Sequence, residues 1–224
     1  MHEPAAGAAT TESGAGDVLL AARGLTRRFG HRTALAGIDI TLRRGEVLGF
    51  LGLNGAGKTT TMQILSGALV ADAGRVEVCG HDLARAPRDA RAALGYLPQT
   101  PPLYDDMLVD EYLALCARLH AIARSAVAAA VARARARCGL ADVGGRLIRH
   151  LSRGYQQRVG IAQAIVHEPA VLILDEPTNG LDPAQIRDVR ALLTGLAGER
   201  AVIVSTHVLG EVRTLATRIA ILHG

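Results

Sequence analysis

Apolar and polar positions along the chain sort into two periods. Val18-Leu19-Leu20 begins the first ordered run as a strand, and Gly24 to Gly30 reads as a strand followed by a turn. Ile38-Asp39-Ile40-Thr41-Leu42 alternates with the period of a half-buried strand. Val47 to Leu51 is short and apolar like a buried strand, Arg75 to Gly80 alternates again, and Leu94 to Gln99 reads as a strand ending at proline. Val171-Leu172-Ile173-Leu174 is a continuous apolar run, as in a strand buried on both faces. Ala201 to Val204 reads as a second buried strand and Arg218 to Leu222 as a third. Helical patterns lie between them: a start at Thr61 to Leu65, a short helix at Arg88 to Ala93, and two alanine-rich helices from Asp110 to about Cys138. A further helix runs to about Ala164 with Ser152 placed to cap it, and another spans Pro183 to Leu196 with proline in its first turn. Strands alternating with helices predict an α/β fold with a mainly parallel sheet core. The closely spaced early strands predict a small antiparallel β layer beside it.

Residues 1–17 are rich in Ala, Gly, Thr and Glu, with almost no large apolar side chains, and read as a disordered N-terminal tail. Residues 18–224 then read as the folded domain. A hydrophobic content of 49% supports a real core. Net charge is only +4 and aromatics are 3%, without the basic stripe and stacking rings of a nucleic-acid binder, so no nucleic-acid partner is expected. The basic cluster Arg133-Ala134-Arg135-Ala136-Arg137 reads as the solvated face of an alanine-rich helix, with a partner surface or anionic lipid as alternatives. Cys79, Cys116 and Cys138 are few and lack C-x-x-C spacing, which argues for a reducing compartment and against a zinc site. No run of about 18 uncharged apolar residues exists and no secretory signal opens the chain, so a cytoplasmic location is expected.

Gly52-Leu53-Asn54-Gly55-Ala56-Gly57-Lys58-Thr59-Thr60 fits G-x-x-x-x-G-K-[ST], between a predicted strand and a predicted helix. The glycines let the backbone wrap phosphate oxygens with inward N–H groups, and the helix N-terminus adds partial positive charge. Lys58 would reach the β- and γ-phosphates, and the Thr59 hydroxyl would bind Mg²⁺. Among 25 Lys and Arg residues, Lys58 is the only lysine. Hydrolysis needs a metal ligand and a group to activate water as well as a cradle. Asp175, at the end of an apolar strand, suits the first role, and Glu176 beside it suits a general base. Two adjacent acids are more often a solvated pair at a strand end; the upstream phosphate loop reverses that preference.

Leu151-Ser152-Arg153-Gly154-Tyr155-Gln156-Gln157-Arg158 resembles the L-S-G-G-Q-x-Q-R signature of the ATP-binding-cassette (ABC) ATPases. Asp175-Glu176-Pro177-Thr178-Asn179-Gly180-Leu181-Asp182-Pro183 resembles that family's Walker B acids and D-loop. The resemblance runs from about Val18 to the last residue. It implies a P-loop NTPase fold with a mainly parallel sheet core, an antiparallel β subdomain and a helical subdomain over about residues 100–150. It also implies that Phe29 stacks on adenine, that Gln99 joins Thr59 and Asp175 around the metal, and that His207 is the switch histidine. Ser152, Arg153, Gly154 and Tyr155 would bind the ATP of a second subunit, with Asp182 in the D-loop. Two positions depart from the pattern: Arg153 stands for the first signature glycine and Tyr155 for the glutamine. Arg153 either adds charge near phosphate or faces solvent. Leu53 stands where the family often has proline.

By the same resemblance the chain would bind and hydrolyse ATP as a head-to-tail pair of cassettes, a homodimer, powering a separate integral membrane permease from the inner face of the cell membrane. Pro101-Pro102-Leu103-Tyr104 with Asp110-Glu111-Tyr112-Leu113 is similar to cassette subunits of ABC-2-type systems, often exporters. The alternative is a soluble non-transport or a non-hydrolysing regulatory ABC ATPase. Ribosome-associated types usually carry two cassettes and a charged linker, and DNA-repair types a long coiled-coil or zinc insertion. Family members usually continue with another strand and a C-terminal extension beyond the position of Gly224, so two alternatives stand: a chain cut short there, or a last strand without the usual cover.

Overall fold

The five residues Val171-Leu172-Ile173-Leu174-Asp175 are all buried, and the side chains of the first four divide between two cores. Leu172 and Leu174 join one apolar cluster, and Val171 and Ile173 join the other. The neighbouring strand does the same, with Val202 and Val204 on one side and Ala201 and Ile203 on the other. The two-residue period of a strand thus makes one sheet the shared wall of both cores. Each such Val, Leu or Ile side chain contributes roughly 1.5–3 kcal/mol relative to remaining exposed.

The computed structural model describes residues 17–198 and 200–222. The expected tail at 1–17 lies, apart from Asp17, outside the described residues. The strands are β1 (Val18–Phe29), β2 (Arg32–Arg43), β3 (Val47–Gly52), β4 (Ala73–Val78), β5 (His81–Asp82), β6 (Leu94–Leu97), β7 (Val171–Asp175), β8 (Ala201–Thr206) and β9 (Arg218–Leu222). The helices are α1 (Lys58–Leu65), α2 (Pro87–Ala92), α3 (Val109–Leu119), α4 (Val127–Arg137), α5 (Arg153–Ile165), α6 (Pro183–Leu196) and α7 (Leu209–Leu215). A parallel sheet has the order β6-β7-β8-β3-β9, and an antiparallel sheet the order β2-β1-β4-β5. The first cluster packs α3, α4 and α5 against one face of the parallel sheet, through residues such as Leu113, Ala117, Val131 and Ile161. The second fills the space between the antiparallel sheet, α1 and the other face, through Leu20, Leu42, Phe50 and Met62. No helix among the described residues is long and apolar enough to cross a membrane.

Three expectations need correction. The two early strand pieces form one strand, β1, whose register shifts between Ala22 and Leu25. β9 is not buried like β7 and β8. Among the described residues it pairs only with β3, at the sheet edge, and Ile219 and Ile221 stand 41% and 69% exposed. The arginine cluster is not one solvated face. Arg135 turns inward, with Nη1 at 3.0 Å from Asp110 Oδ2 and Nε donating to the carbonyl of Leu140. Arg133 and Arg137 face Glu168 at 3.3 and 3.7 Å. Positions i and i+4 of a helix share a face, which puts Arg133 and Arg137 together on Glu168, while i+2 points to the opposite side.

Candidate nucleotide site

The loop after β3 wraps so that Lys58, the first residue of α1, points back over it. Gly57 precedes the helix with φ +99°, and a Cβ there would stand 2.6 Å from the carbonyl oxygen of Ala34. Only glycine meets both conditions. Lys58 is 5% exposed, and Nζ donates to the carbonyls of Gly52 at 2.8 Å and Leu53 at 3.3 Å. A third partner is Glu176 Oε1 at 3.5 Å.

Asp175 and Glu176 leave β7 toward this lysine. Asp175 is fully buried, and Oδ1 accepts from the Ser205 hydroxyl at 2.5 Å. Burial pushes its carboxyl above the ordinary range, and hydrogen bonds from Ser205 and Thr59 pull against that. Its Oδ2 is buried without a hydrogen-bond partner among the described residues. A buried oxygen of that kind costs about 1–3 kcal/mol unless something binds it. With the Thr59 hydroxyl beside the carboxylate, this donor set fits a Mg²⁺ ion, a hard cation that takes oxygen ligands. Glu176 adopts φ +48°, and its N–H points at Ser205. Its carboxylate lies between Lys58 and His207, whose Nδ1 is 3.2 Å from Oε2.

These groups border a cavity of about 660 Å³ shared by Phe29, Asn54, Gly55, Gly57, Lys58, Thr59, Thr60, Gln99, Glu176 and His207. Phe29 is 48% exposed at its mouth, with the Arg27 guanidinium 4.9 Å from the ring centre. Asp175 lies buried behind the wall, and Gly52, Leu53 and Ala56 complete the loop. Ser152, Arg153, Gly154 and Tyr155 sit apart from the cavity, at the N-terminus of α5. Ser152 caps that helix, its hydroxyl accepting from the Tyr155 N–H at 3.5 Å. Tyr155 is 40% exposed. Asp182 caps α6, accepting from Ala184 N at 2.9 Å and Gln185 N at 3.0 Å.

Residues 35–179, well over half the chain, match the family model described as ABC transporter. The chain belongs to the ABC transporter family. Among curated relatives of this ABC chain, the bacitracin transport ATP-binding protein BcrA of Bacillus licheniformis is 34% identical over 201 residues, covering 89% of the chain and 65% of the relative. The daunorubicin resistance ATP-binding protein DrrA3 of Streptomyces coeruleorubidus is 39% identical over 208 residues, covering 92% and 65%. The solved structure of cbiO1 from Clostridium perfringens, titled as part of the ABC transporter complex cbiONQ, superposes with a TM-score of 0.81 at 29% identity. That match covers 92% of this chain and 85% of cbiO1. The chain thus spans about two thirds of the length of the two curated relatives.

The fold of this ABC chain also brings in residues that motif reading passed over. Ser205 holds both acids, yet in the sequence it is only a neighbour of His207. Arg32 donates from Nη2 to the carbonyl of Gly55 at 2.5 Å and borders the cavity. Glu211, 6% exposed on α7, accepts from the hydroxyls of Thr178 and Thr206, both at 2.8 Å. It therefore ties the loop after β7 to the end of β8. Thr178 lies within a quoted motif and Thr206 adjoins His207, but Glu211 carries no local signal at all.

Proposed function

We propose that this chain is the ATP-binding and ATP-hydrolysing subunit of an ABC transporter, working as a head-to-tail homodimer. The observation that carries the reading is the convergence of Lys58, Glu176 and His207 on one cavity at the end of a glycine-rich loop. In this reading Phe29 stacks on adenine. The amides of Gly52 to Thr60 cradle the phosphates, and Lys58 leaves Glu176 to meet the β- and γ-phosphates. Thr59, Asp175 and Gln99 hold Mg²⁺, which when bound offsets the negative charge on those phosphates. Glu176 takes a proton from water as the water oxygen attacks the γ-phosphorus, and the bond to ADP breaks. His207 holds the Glu176 carboxylate in line. From the partner, Ser152, Arg153, Gly154 and Tyr155 close over the γ-phosphate with a second helix N-terminus, and Asp182 shapes the loop between the two sites.

The same reading gives one ATPase domain from residue 18 onward, with a helical subdomain over about residues 100–150 facing a separate membrane permease. Gln99 relays the nucleotide state to that surface. The subunit would sit peripherally on the inner face of the cell membrane. The names of the relatives, a bacitracin transport protein and a daunorubicin resistance protein, favour export.

Glu176→Gln tests the reading. Expected are retained ATP binding, turnover lowered by about 10²–10⁴-fold, and an ATP-dependent dimer in size-exclusion chromatography with light scattering. Wild-type turnover in that variant would remove Glu176 as the base. Purification from membranes with ribosomes or DNA, and without an integral membrane protein, would sink the transport reading.

A further inference from the structure

The arginine that departs from the signature pattern touches the other half of the chemistry. Arg153 Nη2 donates to the carbonyl of Asn179 at 3.3 Å. Its guanidinium lies over Gly180, where a Cβ would come within 2.4 Å of Nη2. Gly180 has φ +71°, so both the backbone and the contact favour glycine there. One residue on, buried Gly154 packs against Gln185 in the first turn of α6, and a Cβ there would stand 2.7 Å from the Gln185 side chain. The first turn of α5 therefore grips the loop after β7 through Arg153 and the first turn of α6 through Gly154. Asn179 in that loop lines the nucleotide cavity with Glu176 and His207. A glycine at position 153 would leave the first grip unmade.

We propose that Arg153 is a positioning residue that couples the two nucleotide sites of a cassette pair. It ties the turn that one protomer presents to its partner's ATP to the wall of that protomer's own ATP site. The proposal rests on the head-to-tail reading above. Ser152 and Arg153 are exposed, so the turn is open to a partner while the guanidinium rests on Asn179. A planar guanidinium with several fixed donors transmits displacement better than a flexible ammonium, because its hydrogen bonds are directional. When a γ-phosphate from the partner draws in the Ser152–Gly154 turn, Asn179 follows and the cis site adjusts. By linkage, ATP in the cis site biases the turn to the same extent.

The test uses the full chain, with Arg153→Gly, Gly180→Ala and the double variant, each also in the Glu176→Gln background. ATP dependence of turnover gives kcat, KM and the Hill coefficient, light scattering gives the ATP needed for dimerisation, and equilibrium binding gives the affinity of the monomer. Arg153→Gly is expected to leave monomer affinity within about twofold, to raise the ATP needed for dimerisation about fivefold, and to bring the Hill coefficient down to about 1. Gly180→Ala displaces the guanidinium and should uncouple the sites in the same way. In the double variant no further uncoupling is expected, because the backbone strain of alanine at 180 is common to both backgrounds and cancels in the cycle. Arg153→Lys should restore part of the cooperativity. Additive effects of the two substitutions, or unchanged cooperativity in Arg153→Gly, would overturn the proposal while Glu176→Gln still dimerises. If Glu176→Gln forms no dimer with ATP, the pairing itself fails and takes the proposal with it.

Discussion

Asp175→Asn separates what the site needs from what the fold prefers. Asp175 is fully buried, one oxygen lacks a partner among the described residues, and burial raises its proton affinity despite Ser205, Thr59 and Lys58. An asparagine fits the same space. Its Oδ1 still accepts from Ser205, and its amide can donate to the Thr59 hydroxyl. The substitution therefore removes a desolvated charge and keeps the hydrogen bonds. Burying an unpaired acceptor costs about 1–3 kcal/mol; after the lost attraction to Lys58, a net gain of about 1–2 kcal/mol is expected without nucleotide. For a chain of this size that is an increase in Tm of about 2–8 °C. The pH dependence fixes the sign. The folded-state pKa lies above the ordinary 3.8, so the folded state binds this proton more tightly than the unfolded chain does. The resulting stability is present below 3.8 and lost as pH rises through the folded pKa. The advantage of the variant should accordingly grow with pH across that window and level off above it. The chain has no Trp, so far-UV circular dichroism is the suitable probe of thermal unfolding. Adding ATP with Mg²⁺ should reverse the order. Wild type gains about 2.7 kcal/mol at a hundredfold excess over Kd, while the variant gains less and turns over little. A nucleotide-free variant no more stable than wild type at neutral pH would refute the reasoning.

Glu211→Ala should strand the buried hydroxyls of Thr178 and Thr206 and cost about 2–4 kcal/mol, read as a lower denaturation midpoint with unchanged m-value. Cysteine labelling should follow burial. Burial pushes the Cys138 thiol up to about 12 and also raises Cys116, so both should resist a thiol reagent until the protein unfolds. Half-buried Cys79 should react first, and rapid labelling of Cys138 in the native protein would contradict the packing of α4.

The parts of the fold that could be read from the chain were those in which burial and period agree. Val171 to Leu174 and Ala201 to Val204 are unbroken apolar runs because both faces of their strands meet a core. Ile219 to Leu222 is equally apolar, yet β9 occupies the sheet edge; strand order is a non-local property that composition does not carry. Helix α7 has only seven residues and no side-chain cap, so nothing local announces it. The glycine loop and the acids after β7 were legible because their spacing is dictated by phosphate and metal chemistry. Glu211 and Asn179 were not, since each acts through a contact made only when distant segments meet. Arg153 stood out as a departure, but its contact with Asn179 and Gly180 depends on how α5 sits against the loop after β7.

The solitary lysine has one more consequence. In a chain whose other strong cations are all arginines, side-chain amine chemistry is confined to a single atom, and that atom is turned inward against two carbonyls and a carboxylate. Apart from the α-amino group, an amine-selective reagent has one side chain to modify, and it reaches it only when Lys58 swings out. The rate of mass gain at Lys58 is therefore a direct clock for opening of the nucleotide site, readable in a mixture and without a labelled nucleotide.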